Sequence, residues 1–198
     1  MKRRPLVFLL AIALSALLAI AGCGPSEDAA EADETREAAI GGGAPEPAPR
    51  PDPGTAQDDP VPLGTPARVG EWEITVAEAS INASEAVAAA SEFNNPAGAR
   101  NQYVMVTIKG TYRGATSGTL WIDLLYSFRT RTGNRYDGTT SFAVPPNPIS
   151  EAGEVSLDGE VSGSVLFEVP SDQVAEGVLL VEDFMAVEGG GQYYFALE

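Results

Sequence analysis

The chain has 198 residues, with 28 Asp and Glu against 12 Lys and Arg, and no histidine, for a net charge of −16. Acidity on this scale excludes a nucleic-acid partner, whose phosphates need a basic face. The missing histidine removes the commonest general base and metal ligand, and a single cysteine excludes both an internal disulfide and a thiolate metal cluster.

Lys2, Arg3 and Arg4 open the chain, and an uncharged apolar run follows from Leu6 to Ile20. Ala21 and Gly22 then stand before Cys23. A charged start, an apolar middle and small residues at the cut are the three parts of a secretory signal. The tetrapeptide Ile20-Ala21-Gly22-Cys23 resembles the lipobox of bacterial lipoproteins, with Ile20 in place of the usual Leu. The resemblance implies that residues 1–22 are a signal peptide. It also implies that Cys23 becomes the acylated first residue of the mature chain, held to the extracytoplasmic face of the cell membrane. Two or three acyl chains anchor firmly where one does not. The competing reading is a permanent span. Pro5 to Gly22 lies at the short edge of the roughly 17–25 residues a span requires, and nothing basic follows closely to stop transfer.

From Cys23 to residue 66 large apolar residues are almost absent. Acidic residues from Glu27 to Glu37 crowd the first part, Gly41-Gly42-Gly43 follows, and Pro45, Pro47, Pro49, Pro51 and Pro53 alternate with small or charged residues. Such a segment buries too little apolar surface to offset its ordering entropy, so 23–66 is expected to be a disordered, extended tether. A helix over Glu27–Ala39 is the alternative, and it lacks an apolar face.

From residue 67 to 198 the texture is all-β, with apolar residues at period two. Trp72, Ile74 and Val76 form one such set, and Val104, Val106 and Ile108 a second. Leu120, Ile122, Leu124, Tyr126 and Phe128 predict a third strand. Thr132-Gly133-Asn134 signals a turn before Tyr136. Phe142-Ala143-Val144 is a short strand candidate stopped by Pro145-Pro146. Val161, Val165, Phe167 and Val169 form another strand, stopped by Pro170. Val178 to Val187 and Gln192 to Leu197 are the last two, joined by Gly189-Gly190-Gly191 as a hairpin loop. Only Ala83–Phe93 looks helical, with Ser84 as its cap. About seven strands with turn signals and no crossover helix predict an immunoglobulin-like antiparallel β-sandwich.

Four motifs carry a family resemblance over residues 67–198. They are the opening Val69-Gly70-Glu71-Trp72-Glu73-Ile74-Thr75-Val76, the central strand from Gln102 to Ile108, the turn from Thr132 to Tyr136, and Gly159 to Pro170, reading GEVSGSVLFEVP. Together they resemble the telokin-like, immunoglobulin-type domains on lipoproteins of Gram-positive bacteria, in an actinobacterial style. The resemblance implies a surface-exposed binding or interaction module and brings no catalytic residues with it.

The chemistry-bearing residues are sparse. Nucleophilic catalysis needs a base beside Ser, Cys or Thr, and Lys109 is the only lysine after the signal. Carboxylates are plentiful (Glu151, Glu154, Asp158, Glu160, Glu182 and Asp183), and a facing pair would suit glycoside hydrolysis. The simpler reading is a solvated acidic surface. Asn94-Asn95 or Glu151–Asp158 offer oxygens to calcium without the spacing of a helix–loop–helix calcium site. Arg113, Arg129, Arg131 and Arg135 form either a basic patch for an anionic polymer or a set of cross-strand ion pairs. Trp72 and Trp121 are read as packing residues rather than sugar platforms. The expectation is a non-enzymatic module without cofactor or metal, bound to the membrane through Cys23. Its partner would be an envelope protein or a wall polymer. The alternative is a small-ligand or ion-binding accessory of an envelope transporter or enzyme.

Overall fold

The computed structural model describes residues 52–138, 142–186 and 191–198. The expected signal peptide 1–22, the expected lipidation site Cys23, the expected tether up to residue 51, and Val187 and Gly189-Gly190 lie outside the described residues.

The alternating segments form two antiparallel sheets. The chain runs through β1 (Pro66–Val69), β2 (Trp72–Ser80), α1 (Ser84–Ala90), β3 (Asn101–Tyr112), β4 (Ser117–Gly118), α2 (Leu120–Asp123), β5 (Leu124–Arg129) and β6 (Arg135–Asp137). A 3-10 turn (Ile149–Glu151) follows, then β7 (Val155–Ser156), β8 (Glu160–Pro170), β9 (Val178–Asp183) and β10 (Gln192–Ala196). One sheet has the order β1-β2-β3-β8, the other β10-β9-β5-β6, and β4 pairs with β7 apart from both. With β1 and the paired β4 and β7 set aside, the first sheet takes the first, second and fifth of the remaining strands. The second takes the third, fourth, sixth and seventh. This is an immunoglobulin-like antiparallel sandwich in which the fourth strand lies beside the third rather than with the first, second and fifth.

Period two explains the core. Inward residues of the first sheet are Trp72, Ile74, Val76, Val104, Val106, Ile108, Val165, Phe167 and Val169. They meet Leu124, Phe128, Leu179, Val181 and Phe195 of the second. Phe128 and Phe167 reach across the layers with ring centroids 6.3 Å apart. The first hairpin turns at Gly70-Glu71, between the paired Val69 and Trp72. Gly70 has φ +56 while Glu71 keeps negative φ, the two-residue turn with glycine first that matches strand twist.

The helix over Ala83–Phe93 is present as α1, a shorter segment that covers the outer face of the first sheet. Ala83 and Val87 pack there on Tyr103 and Leu166, which explains why the polar phase of β8 contains a leucine. Ser84 does not cap it. Ala83 holds the cap position, and the Ser84 hydroxyl donates to Asn82 Oδ1 instead.

Three expectations change. Leu120–Asp123 is a single helical turn rather than the start of a strand. The Asp123 carboxylate accepts the Thr119 N–H at 3.0 Å and the Trp72 Nε1–H at 2.9 Å, which curls the chain locally. Ala143-Val144 is not a strand. The Val144 N–H donates to Asn94 Oδ1, and Asn94 Nδ2 donates to the Val144 carbonyl, both at 2.8 Å, so an amide side chain does the pairing of a strand.

The third change is the boundary at residue 66. Val61 is 2% exposed and belongs to the core. Its N–H donates to the Tyr194 carbonyl and its carbonyl accepts from Ala196 N–H, each at 2.8 Å. Gly54, Gln57 and Gly64 add bonds to Tyr194, Thr130 and Val76. Residues 52–66 therefore line the free edge of β10 and belong to the domain. One buried valine and backbone pairing suffice, which composition alone does not register.

Candidate functional site

β6 is only three residues long and pairs with Ser127, Phe128 and Arg129 of β5. Among the described residues nothing pairs with the first half of β5 on that side; residues 139–141, which follow β6, lie outside them. β8 pairs along one side with β3 and, among the described residues, is bridged by backbone on the other at Asn147-Pro148, with Ile149 packed against Gly163. The two sheets thus part at one side of the sandwich. Between them lies a cleft of about 530 Å³. Leu124, Leu125 and Tyr126 form one wall, Val165 and Leu166 the other, and the loop from Ala143 to Ser150 closes over it. Trp121 stands at one end. The volume falls within the roughly 300–1,000 Å³ of small-molecule sites, and an apolar lining with few polar groups is their usual character.

Arg135 and Asp137 are the charged lining residues. Arg135 Nε donates to Asp137 Oδ1 at 2.8 Å, and its Nη1 lies 2.8 Å from Glu182 Oε2. The Asp137 hydrogen bond, and then Glu182, hold the guanidinium pKa above its ordinary value. Arg135, Asp137 and Glu182 thus form an ion-paired cluster beside the cleft. Tyr126 turns its hydroxyl inward and donates to the Leu120 carbonyl at 3.1 Å. Burial, and secondarily the Asp123 carboxylate, push the phenol well above the ordinary tyrosine value.

That shift has a sign. Below about pH 10 the phenol is neutral in both the folded and the unfolded chain. As pH rises past that value the unfolded chain loses its proton first, so stability falls until the buried phenol itself ionises. Urea midpoints are expected to drop between pH 9 and pH 11, and Tyr126→Phe is expected to flatten that drop.

A second hollow, of about 600 Å³, lies beside Gln57, Arg131, Glu176 and Leu197. It is more open and more polar, and the Arg131–Glu176 pair at 3.1 Å spans its rim.

The other residues singled out in the sequence scatter. Arg113 pairs with Glu73 and with Asp158, Arg131 with Glu176, and Arg135 with Asp137 and Glu182, so three of the four arginines are spent on carboxylates. No ion pair engages Arg129 among the described residues, so no basic patch forms. Glu154 accepts from the Ser117 hydroxyl, and Asp183 accepts from the Met185 N–H. Among the described residues no three Asp, Glu, Cys or His side chains converge on a metal position. Asn94 spends its side chain on Val87 and Val144, and Asn95 gives its carbonyl to the Tyr103 hydroxyl. Lys109 is exposed opposite Ser162, in a shallow hollow with Glu73 and Glu160. Trp72 is a core residue, packed on Tyr112 with centroids 5.0 Å apart. Trp121 is exposed, against its reading as a packing residue. Among the described residues no helix is long and apolar enough to cross a membrane.

No family model matches the chain. No curated protein matches it in sequence. Solved structures do resemble it. An uncharacterized beta-sandwich protein from Clostridium difficile matches at 14% identity and TM-score 0.41, over 70% of this chain and 95% of that one. The yjhA protein from Bacillus subtilis matches at 11% identity and TM-score 0.43, over 70% of this chain and 99% of that one. The Bacillus subtilis ycdA protein, whose name includes the word lipoprotein, matches at 11% identity and TM-score 0.42, over 66% of this chain and 37% of that one.

Proposed function

We propose that the chain is an extracytoplasmic lipoprotein, anchored through Cys23, whose sandwich works as a binding module without catalysis. The proposed ligand is a small, largely apolar molecule, or the apolar part of a larger one, held in the cleft between β5 and β8. On this reading the domain is a telokin-like, immunoglobulin-type module of the kind found on Gram-positive lipoproteins. The strand order and the four motifs support that part.

The cleft is the observation that carries the proposal. A featureless sandwich surface would have favoured a flat protein partner instead. Asp137 is the one carboxylate among the described lining residues, so a facing pair for hydrolysis is not assembled there. The anchor rests on the tetrapeptide ending at Cys23 and the apolar run before it.

The test is a titration of the unlipidated mature chain (Cys23→Ser) with 1-anilinonaphthalene-8-sulfonate, an apolar fluorescent probe. Saturable binding is expected. Leu125→Glu puts a charge at the cleft without emptying the core, since Leu125 is already exposed. It is expected to weaken the probe roughly tenfold or more, the scale of a charge left unpaired in an apolar site. Unchanged binding would remove the cleft as the site.

A further inference from the structure

We propose that the end of the sandwich formed by Trp121, Ile122, Phe184 and Met185 docks onto the surface of the lipid bilayer to which Cys23 ties the chain. The proposal goes beyond ligand binding in the cleft, takes the anchor from that reading, and shares Trp121 with the cleft lining.

The four residues come from α2 and from the end of β9, more than sixty positions apart. The strand register joins them. Leu124 pairs with Asp183, and one step beyond, the Phe184 N–H donates to the Asp123 carbonyl at 2.9 Å. The next N–H, of Met185, donates to Asp183 Oδ1 at 2.9 Å, closing a turn at the end of β9. Trp121 is 45% exposed, Ile122 53%, Phe184 60% and Met185 78%. Single apolar residues on a surface are ordinary, whereas a contiguous group marks an interaction site.

Two observations select a lipid surface as the occupant, and a third sets the sign of its test. The first is composition: Trp and Phe beside long aliphatic side chains suit the boundary between headgroups and acyl chains. The second is the chain that precedes the domain. Twenty-eight residues separate Cys23 from Asp52. Fully extended they span at most about 95 Å. The domain is thereby confined beside the bilayer, where even a weak contact is populated because its effective concentration is high.

The third is charge. From Gly70 to Glu198 there are 18 acidic and 6 basic residues, a net of −12. Asp123 and Asp183 stand directly behind the tip. Contact with lipid must then be apolar and opposed by anionic headgroups. Binding should be stronger on zwitterionic than on anionic vesicles, and added salt should raise binding to the anionic ones by screening the repulsion. A basic docking face would show the opposite sign on both counts.

The protein carries its own probe. Of its two tryptophans Trp72 is 1% exposed, so Trp121 alone reports on the surface. The experiment uses the whole mature chain from residue 23, with Cys23→Ser so that no acyl chain contributes, mixed with phosphatidylcholine vesicles. A blue shift of Trp121 and its quenching by brominated acyl chains are the expected results. A double variant, Phe184→Asp with Met185→Asp, should lower partitioning roughly tenfold or more while keeping the melting temperature. The cleft variant Leu125→Glu should keep vesicle binding, so failure of the tip and failure of the cleft are told apart. Three results would overturn the proposal. One is an unshifted Trp121 at saturating lipid, and another is undiminished partitioning of the double variant. The third comes from a photo-crosslinker placed at position 185 of the anchored chain. If it labels an envelope protein and no lipid, the tip is a protein-docking face.

Discussion

A chain trimmed to begin at Ala67 is expected to lose on the order of 4 kcal/mol of stability relative to one beginning at Asp52. Burying the Val61 side chain contributes about 1.5–3 kcal/mol. The backbone bonds from Gly54 and Val61 to β10, and from Gly64 to β2, add about 0.5–1.5 kcal/mol each before the ordering entropy of the segment is subtracted. Against a total of about 5–15 kcal/mol this is a large share. In a domain of this size it corresponds to a melting temperature lower by roughly 8–16 °C. Removing the segment also strips the outer edge of β10, and a bare edge invites pairing between copies. The shorter chain should therefore aggregate as it is concentrated. Calorimetry of both chains checks this. Identical melting of the two would mean that residues 52–66 lie along the domain without holding it.

The second large effect lies in the core. Phe167 of β8 and Phe128 of β5 meet across the two layers, and both rings are fully buried. Phe167→Ala removes apolar area and leaves a cavity in a layer that strands on both sides hold apart, so the site cannot collapse. The expected loss is about 3–5 kcal/mol. Phe142→Ala provides the contrast. Phe142 is wholly exposed, so its loss should stay within about 0.5 kcal/mol of zero. The same residue change at two positions thus separates core packing from surface composition. Equal effects in urea unfolding would contradict the assignment of the inner face.

Much of this fold was legible because half-buried strands write their register into the sequence. Trp72-Ile74-Val76 and Val104-Val106-Ile108 alternate in text and face the core in space. The Thr132-Gly133-Asn134 turn was legible for the same kind of local reason. The Gly133 N–H donates to the Thr130 carbonyl, Thr130 N–H donates to Asn134, and Gly133 adopts φ +88. What failed was non-local. One apolar residue at position 61 looks like part of a polar tether until β10 lies beside it. Leu120-Ile122 continues the alternation of β5, yet Asp123 draws the segment into a turn. Ala143-Val144 has the composition of a strand, and Asn94 satisfies its backbone.

The cleft was illegible for a geometric reason. Among the described residues it lies where β6 ends at Asp137 and β8 has a strand partner on one side, and neither strand length nor edge status is written in periodicity. The residues weighed for chemistry misled for the opposite reason. Arginines and carboxylates close in sequence invite a patch, but cross-strand neighbours pair them off. Trp121 and Phe184 carried a signal, two large apolar residues at element ends, whose meaning depended on the register that brings them together.

The central claim is that the sandwich holds an apolar ligand in its cleft. The most direct measurement is native mass spectrometry of the anchored chain, released from its own membranes in mild detergent, beside the same chain carrying Leu125→Glu. The account predicts an added mass on the unaltered chain that organic solvent extracts and that the variant lacks. Bare protein in both samples, or the same added mass on both, would contradict it.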